Sequence, residues 1–146
     1  MSNLGSISDQ SIGGIITTAT HGSGVTFPVL SSSVLSLTLI NADTSIVTCS
    51  RESNKDLFIA TLCGLGTTGL ILRVRMQVEK AFRLDETVEP VAFEDFVDNF
   101  EQIGKSSEHT RAWWFPQAKA FSVGRANRSY QVSSHASPRP LIHELR

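Results

Sequence analysis

The chain has 146 residues, enough for one domain with a sizeable buried core, and its 40% hydrophobic and 18% charged residues describe a folded globular protein. With 13 Lys and Arg against 14 Asp and Glu the net charge is −1 and the cations are scattered, which excludes an electrostatic footprint for nucleic acid or an anionic membrane. The two cysteines, Cys49 and Cys63, form no CxxC pair, so a disulfide framework and a zinc ribbon are both excluded.

Both thiols are expected to be reduced and buried. No stretch approaches the roughly 20 apolar residues of a bilayer-spanning segment. The N-terminus lacks the basic patch and apolar core of a signal peptide.

In chain order, Ile15-Ile16-Thr17-Thr18 is the clear β-branched run within residues 2–24, and it predicts a short buried strand. A turn follows at Thr20-His21-Gly22-Ser23-Gly24. Residues 34–40 predict a second strand, with Leu35, Leu37 and Leu39 alternating against Val34, Ser36 and Thr38. Asn41-Ala42-Asp43 turns the chain, and residues 45–50 return to complete an antiparallel hairpin.

Asn54 is placed to cap a helix over residues 55–62 that ends at Gly64. Residues 70–78 carry the strictest alternation. It predicts a strand that buries Leu70, Leu72, Val74, Met76 and Val78, and residues 82–88 are expected to pair with it. Phe93, Phe96, Val97, Phe100 and Ile103 follow helical spacing and predict one amphipathic helix to Gly104.

Residues 110–115 and 121–125 read as two more strands, and from Ser129 onward Ser, His and Pro predict a poorly ordered tail. The sum is an α+β fold, antiparallel β-sheet with flanking helices, with a seam between Glu79 and Glu89.

Gly64-Leu65-Gly66-Thr67-Thr68-Gly69 matches GxGxxG, but a dinucleotide fingerprint needs a strand before the loop and a helix after it. The order here is helix first, so a tight helix-to-strand turn is expected instead. His21-Gly22-Ser23-Gly24 has the composition of an oxyanion loop, but no GxSxG nucleophile elbow accompanies it. His21, Cys49, Cys63 and His109 lack the short local spacings of a metal site, and no metal is assigned.

Trp113-Trp114-Phe115 is expected to serve core packing on one face and an inter-domain contact on the other. The density of Ser, Gly and Thr between Gly5 and Gly24 hints at phosphate binding through backbone N–H and hydroxyl groups. A tightly packed structural loop explains that composition nearly as well.

Two strings near the N-terminus, Leu4-Gly5-Ser6-Ile7-Ser8-Asp9-Gln10-Ser11-Ile12-Gly13-Gly14 and Thr17-Thr18-Ala19-Thr20-His21-Gly22-Ser23-Gly24, resemble the flavin-binding stretch of the sugar-lactone oxidases. That family includes the D-arabinono-1,4-lactone and L-gulonolactone oxidases, with a vanillyl-alcohol-oxidase (PCMH-type) FAD domain. Gly66-Thr67-Thr68-Gly69-Leu70-Ile71-Leu72 is similar to that domain's later glycine turn and strand. Phe93-Glu94-Asp95-Phe96, Ser106-Ser107-Glu108-His109, Trp113-Trp114-Phe115-Pro116 and Arg125-Ala126-Asn127-Arg128 resemble the start of the following lactone-oxidase domain.

The resemblance implies FAD as cofactor and a sugar lactone as substrate of the full-length enzyme. It implies Ser6, Ser11 and Gly14 along the ribityl-pyrophosphate path, with Thr18, Ala19, Thr20 and His21 wrapping it. Leu70 and Ile71 would sit near the adenine, mostly through backbone atoms.

Residues 1–80 would be the second subdomain of the FAD-binding domain, 81–128 the start of the oxidase domain, and 129–146 a divergent tail. In such enzymes the flavin takes a hydride from a carbinol carbon and oxygen reoxidises it, giving an ascorbate-type product and hydrogen peroxide. The flavin-linking histidine is expected before Met1 and the substrate domain after Arg128, so no catalytic residue is assigned and the isolated chain is expected to be inactive. The family implies a mitochondrial membrane location, and the chain expressed alone is expected in the cytoplasm. The alternative is a non-catalytic remnant that acts only through protein association.

Overall fold

Six strands divide into two three-stranded antiparallel sheets with short helices set beside them, in the computed structural model, which describes residues 1–7 and 9–130. The first half carries helix α1 (Ile12–Thr17), strands β1 (Val34–Ile40) and β2 (Ile46–Ser50), helix α2 (Lys55–Thr61) and strand β3 (Leu70–Met76). The second half carries β4 (Arg83–Ala92), α3 (Phe93–Asp98), α4 (Phe100–Gly104), β5 (His109–Phe115) and β6 (Ala120–Ser129). Strand order is β2-β1-β3 in one sheet and β4-β6-β5 in the other. This is the expected α+β class, antiparallel sheets with flanking helices.

The core of the first half gathers Ile15 and Ile16 from α1, Leu30, Val34, Leu37 and Leu39 from β1 and its approach, Cys49 and Phe58. Asn41-Ala42-Asp43 does close the β1–β2 hairpin, with the Asp43 carboxylate accepting from both the N–H and the hydroxyl of Ser45. α2 then runs into the glycine turn at residues 64–69 and on into β3, helix before strand. Gly69 sits at φ +142° with Ile40's carbonyl where a Cβ would go, so the turn cannot carry a side chain there.

Several sequence expectations change. The run Ile15-Ile16-Thr17-Thr18 is not a strand. Ser11 caps α1 by accepting from Gly14 N–H at 3.1 Å, and Thr17 Oγ1 donates back to the Gly13 carbonyl at 2.9 Å. Local capping and the burial of adjacent Ile15 and Ile16 on a helix win over β-branched propensity.

Alternation is broken by two bulges in the β1–β3 pairing. A register shift between Val34 and Ser36 buries Val34 and leaves Leu35 41% exposed. A second shift pairs Thr38 with Arg73 and Leu39 with Ile71, leaving Leu72 as the extra residue. Ile71, Val74 and Met76 therefore pack on the core, and Leu70 and Leu72 are exposed.

Residues 82–88 do not pair with β3. Residues 83–88 lie in β4, which pairs with β6 along its whole length, and Pro90 is accommodated because β4 is an edge strand. The helix expected across residues 93–103 breaks at Asn99, whose side chain donates to the Asp95 carbonyl at 2.9 Å. Only Phe96 of its apolar set is buried, stacked on Phe121 with centroids 3.9 Å apart, whereas Val97 and Phe100 are exposed. Asn54 occupies the N-cap position in left-handed conformation but its side chain ties to the Thr48 carbonyl instead of capping. Cys49 is buried as expected, but Cys63 is exposed, because it sits at φ 60° on the turn that leaves α2.

Candidate functional site

The Ser/Gly/Thr-rich segment folds around α1. Thr20 N–H donates to the Ile15 carbonyl, Leu30 N–H to the Thr20 carbonyl, and the Thr18 and Thr20 hydroxyls lie 3.0 Å apart. Ala19 takes φ 55° to make the turn out of the helix. The exit of α1 is also held to the glycine turn before β3: Cys63 N–H donates to the Ile16 carbonyl and Leu65 N–H to the Thr17 carbonyl.

Beyond Thr20 the chain forms one wall of a cleft of about 720 Å³. Residues 1–6 and 21–23 line one side; the linker at residues 79–82, with Leu84, and residues 109–111 with Trp113 line the other. Asn3, almost fully buried, fixes the near wall by donating to the Ser23 carbonyl at 2.9 Å. The volume lies in the range of small-molecule sites, roughly 300–1,000 Å³. Backbone of small residues, the hydroxyl of Ser6, the exposed His21 imidazole, two aromatic rings (Phe82 and Trp113) and the cations Lys80 and Arg111 share it. Such a lining suits a ligand with a flat ring and polar or anionic appendages.

The far wall is braced by Arg128 of β6. Its guanidinium grips Glu79 with two hydrogen bonds of 2.8 and 3.1 Å, and its Nε lies 2.9 Å from Glu108 Oε1. The Nε contact is an ion pair with poor hydrogen-bond alignment, so that N–H is otherwise unpartnered and buried. The same guanidinium stands 4.5 Å from the Phe82 ring centroid and 5.9 Å from that of Phe27. One side chain thus joins β6, the linker between the sheets, the approach to β5 and the loop after Gly24.

Of the residues implied by the family resemblance, Ser6 and His21 line the cleft. Ser11, Gly14, Thr18, Ala19 and Thr20 lie on α1 and its exit instead, and Leu70 and Ile71 begin β3 next to that helix. Leu70 is exposed and Ile71 packs on the core. Trp113, Trp114 and Phe115 are 62%, 55% and 51% exposed, so none of the three is the buried core residue expected on one face. Trp113 borders the cleft, while Trp114 packs over Phe93 and Phe121.

Asn3, Glu79, Phe82, His109 and Arg128 were not legible as site residues. Each is meaningful only through a partner 20 or more positions away.

The family model for D-arabinono-1,4-lactone oxidase matches residues 74–145, extending past Arg128, where the motifs read from the sequence stop. D-arabinono-1,4-lactone oxidase of Yarrowia lipolytica is 39% identical over 140 residues, 96% of this chain and 26% of that protein. L-gulonolactone oxidase of Mus musculus is 37% identical over 137 residues, 94% of this chain and 31% of that protein. Among solved structures, a histidine-to-alanine variant of cholesterol oxidase from Brevibacterium sterolicum superposes with a TM-score of 0.74 at 23% identity, over 87% of this chain and 27% of that one. That likeness is one of fold. The chain is therefore a relative of the D-arabinono-1,4-lactone and L-gulonolactone oxidases, spanning about a quarter to a third of the length of these two.

Proposed function

We propose that this chain supplies part of the FAD-binding portion of a sugar-1,4-lactone oxidase of the D-arabinono-1,4-lactone oxidase type. The full enzyme would oxidise the lactone with O2 to an ascorbate-type product and hydrogen peroxide. The observation that carries this reading is the cleft walled by Ser6 and His21 beside the backbone of Gly22 and Ser23, in a chain related to lactone oxidases. FAD, when bound, supplies the hydride-accepting centre. This chain's own groups hold and orient it: Ser6 and His21 at the cleft, and Ser11, Gly14, Thr18, Ala19 and Thr20 along α1. Leu70 and Ile71 contribute at the start of β3.

The change of sheet between Met76 and Arg83 supports a division into an FAD-binding part over residues 1–80 and an oxidase-domain part over 81–128. No catalytic residue is assigned. For the full enzyme we propose a mitochondrial membrane location; among the described residues no helix is long and apolar enough to cross a membrane.

A fluorescence titration of FAD with the 146-residue chain tests the reading. The expected result is weak, saturable, noncovalent quenching with no peroxide formed from D-arabinono-1,4-lactone. A flat titration overturns flavin binding, and peroxide formation or stoichiometric FAD retained through gel filtration overturns the partial-site reading.

A second reading, association without catalysis, draws on the individually exposed aromatic side chains Phe100, Trp113, Trp114 and Phe115. Concentration-dependent sedimentation together with no response to FAD favours it.

A further inference from the structure

The cleft's near wall is formed by the first half of the chain, but its shape is fixed by residues of the second. At the entry to β5, His109 is 4% exposed and its ring stacks on Phe27, centroids 4.7 Å apart and planes 15° from parallel. Its Nδ1 lies 3.3 Å from the Ser23 carbonyl and 3.4 Å from the Ser23 hydroxyl. The carbonyl can only accept, so Nδ1 must carry the proton to bond it. Nε2 is buried with no partner. That arrangement strands a lone pair rather than an N–H, and buried orphan N–H groups are the rarer kind.

The neighbouring residue completes the fit. Gly24 sits at φ +94°, and the Glu108 carbonyl oxygen occupies the space a Cβ would need. Ser23, Gly24 and Phe27 are thus seated on Glu108 and His109, across 86 positions of sequence for the Ser23–His109 pair. Arg128 backs the seat through its ion pair with Glu108 and its approach to the Phe27 ring. Among the described residues, His21 and Gly22 make no hydrogen bond of their own to the second sheet, so this wall of the cleft is tied to it through Ser23.

We propose that His109 is a positioning residue for the cleft. It holds the Ser23–Gly24 backbone against β5, and through that contact the second sheet sets where His21 and Gly22 stand for the ligand. This rests on the flavin-binding reading for the identity of the ligand, but not for the existence of the seat.

Three measurements on the full chain test it. Nitrogen-detected correlation spectra of the unmodified protein report the His109 tautomer; protonated Nδ1 and bare Nε2 are expected, and protonated Nε2 overturns the proposal. In His109→Ala, amide exchange across residues 21–27 should quicken about tenfold, the factor one ordinary hydrogen bond supports, while β1 amides stay protected. His109→Asn, which keeps a donor near the Nδ1 position, should restore most of that protection. Unchanged exchange in His109→Ala overturns the seat.

FAD titration separates the two levels of the argument. A weaker apparent affinity in His109→Ala, recovered in His109→Asn, supports positioning for the flavin. Equal affinity in all three proteins overturns the positioning role. A wild-type chain that ignores FAD while exchange still quickens in His109→Ala refutes the flavin reading and leaves the seat standing.

Discussion

Replacing Arg128 with alanine removes several contacts at once, and the structure fixes how much that should cost. The guanidinium makes a two-point grip on Glu79 and an ion pair with Glu108, and it lies against Phe82. Hydrogen bonds to charged groups contribute roughly 1.5–3 kcal/mol each, and a cation–π contact about 0.5–1 kcal/mol. Arg128 is about a quarter exposed and its two carboxylate partners slightly more, so solvent screens part of this. The alanine variant also leaves Glu79 and Glu108 without their shared cation.

A net loss of about 3 kcal/mol is expected, which for a chain of this size corresponds to roughly a 10 °C drop in melting temperature. Arg128→Lys should recover less than half of it, since an ammonium cannot span both oxygens of Glu79 and reach Glu108. Differential scanning calorimetry of the three proteins at one ionic strength is the assay. An alanine variant that melts within about 2 °C of the parent would show that the network is a screened surface feature. The bracing assigned to the far wall of the cleft would then be wrong.

Gly24→Ala should cost about 2–3 kcal/mol in chemical denaturation, because φ +94° is strained for alanine and the Glu108 carbonyl blocks its Cβ; a neutral result would mean the loop is not seated on β5. One thiol per chain, Cys63, should react rapidly with a thiol reagent in the native protein, and Cys49 only after unfolding. Equal rates for both would contradict the burial of Cys49.

Two pH dependences follow from ionisable groups. The Ser45 hydroxyl and N–H hold the Asp43 carboxyl below its usual value near 3.8, so the unfolded chain takes up that proton first as pH falls. Its contribution is complete above about 3.8, fades as pH drops through the folded value, and should be absent in Asp43→Ala when acid unfolding curves are compared. Burial pushes the Cys49 thiol above its usual 9.0, which works in the opposite sense: that stability is whole below 9.0 and is lost as pH rises through the folded value. Cys49→Ser should blunt the alkaline loss.

The amino-acid sequence by itself determined the element list in the β-rich stretches, the hairpin at Asn41-Ala42-Asp43, the helix-before-strand order at the glycine turn, and the family relationship. Those depend on local turn chemistry, two-residue periodicity and short motifs, all of which are written within a few positions. Tertiary structure decided the rest. Whether Ile15 and Ile16 enter a strand or a helix turned on a serine cap and on the core they fill, against their own propensity.

Which face of β3 is buried turned on a single extra residue, Leu72, because a one-residue slip exchanges the two faces of a strand. The pairing of β4 with β6 instead of β3 is a choice among strand partners that no local pattern encodes. The cleft is the plainest case: Ser6 and His21 stood out by composition and resemblance. Asn3, His109 and Arg128 gain their roles only when segments up to 86 positions apart are brought within hydrogen-bonding distance.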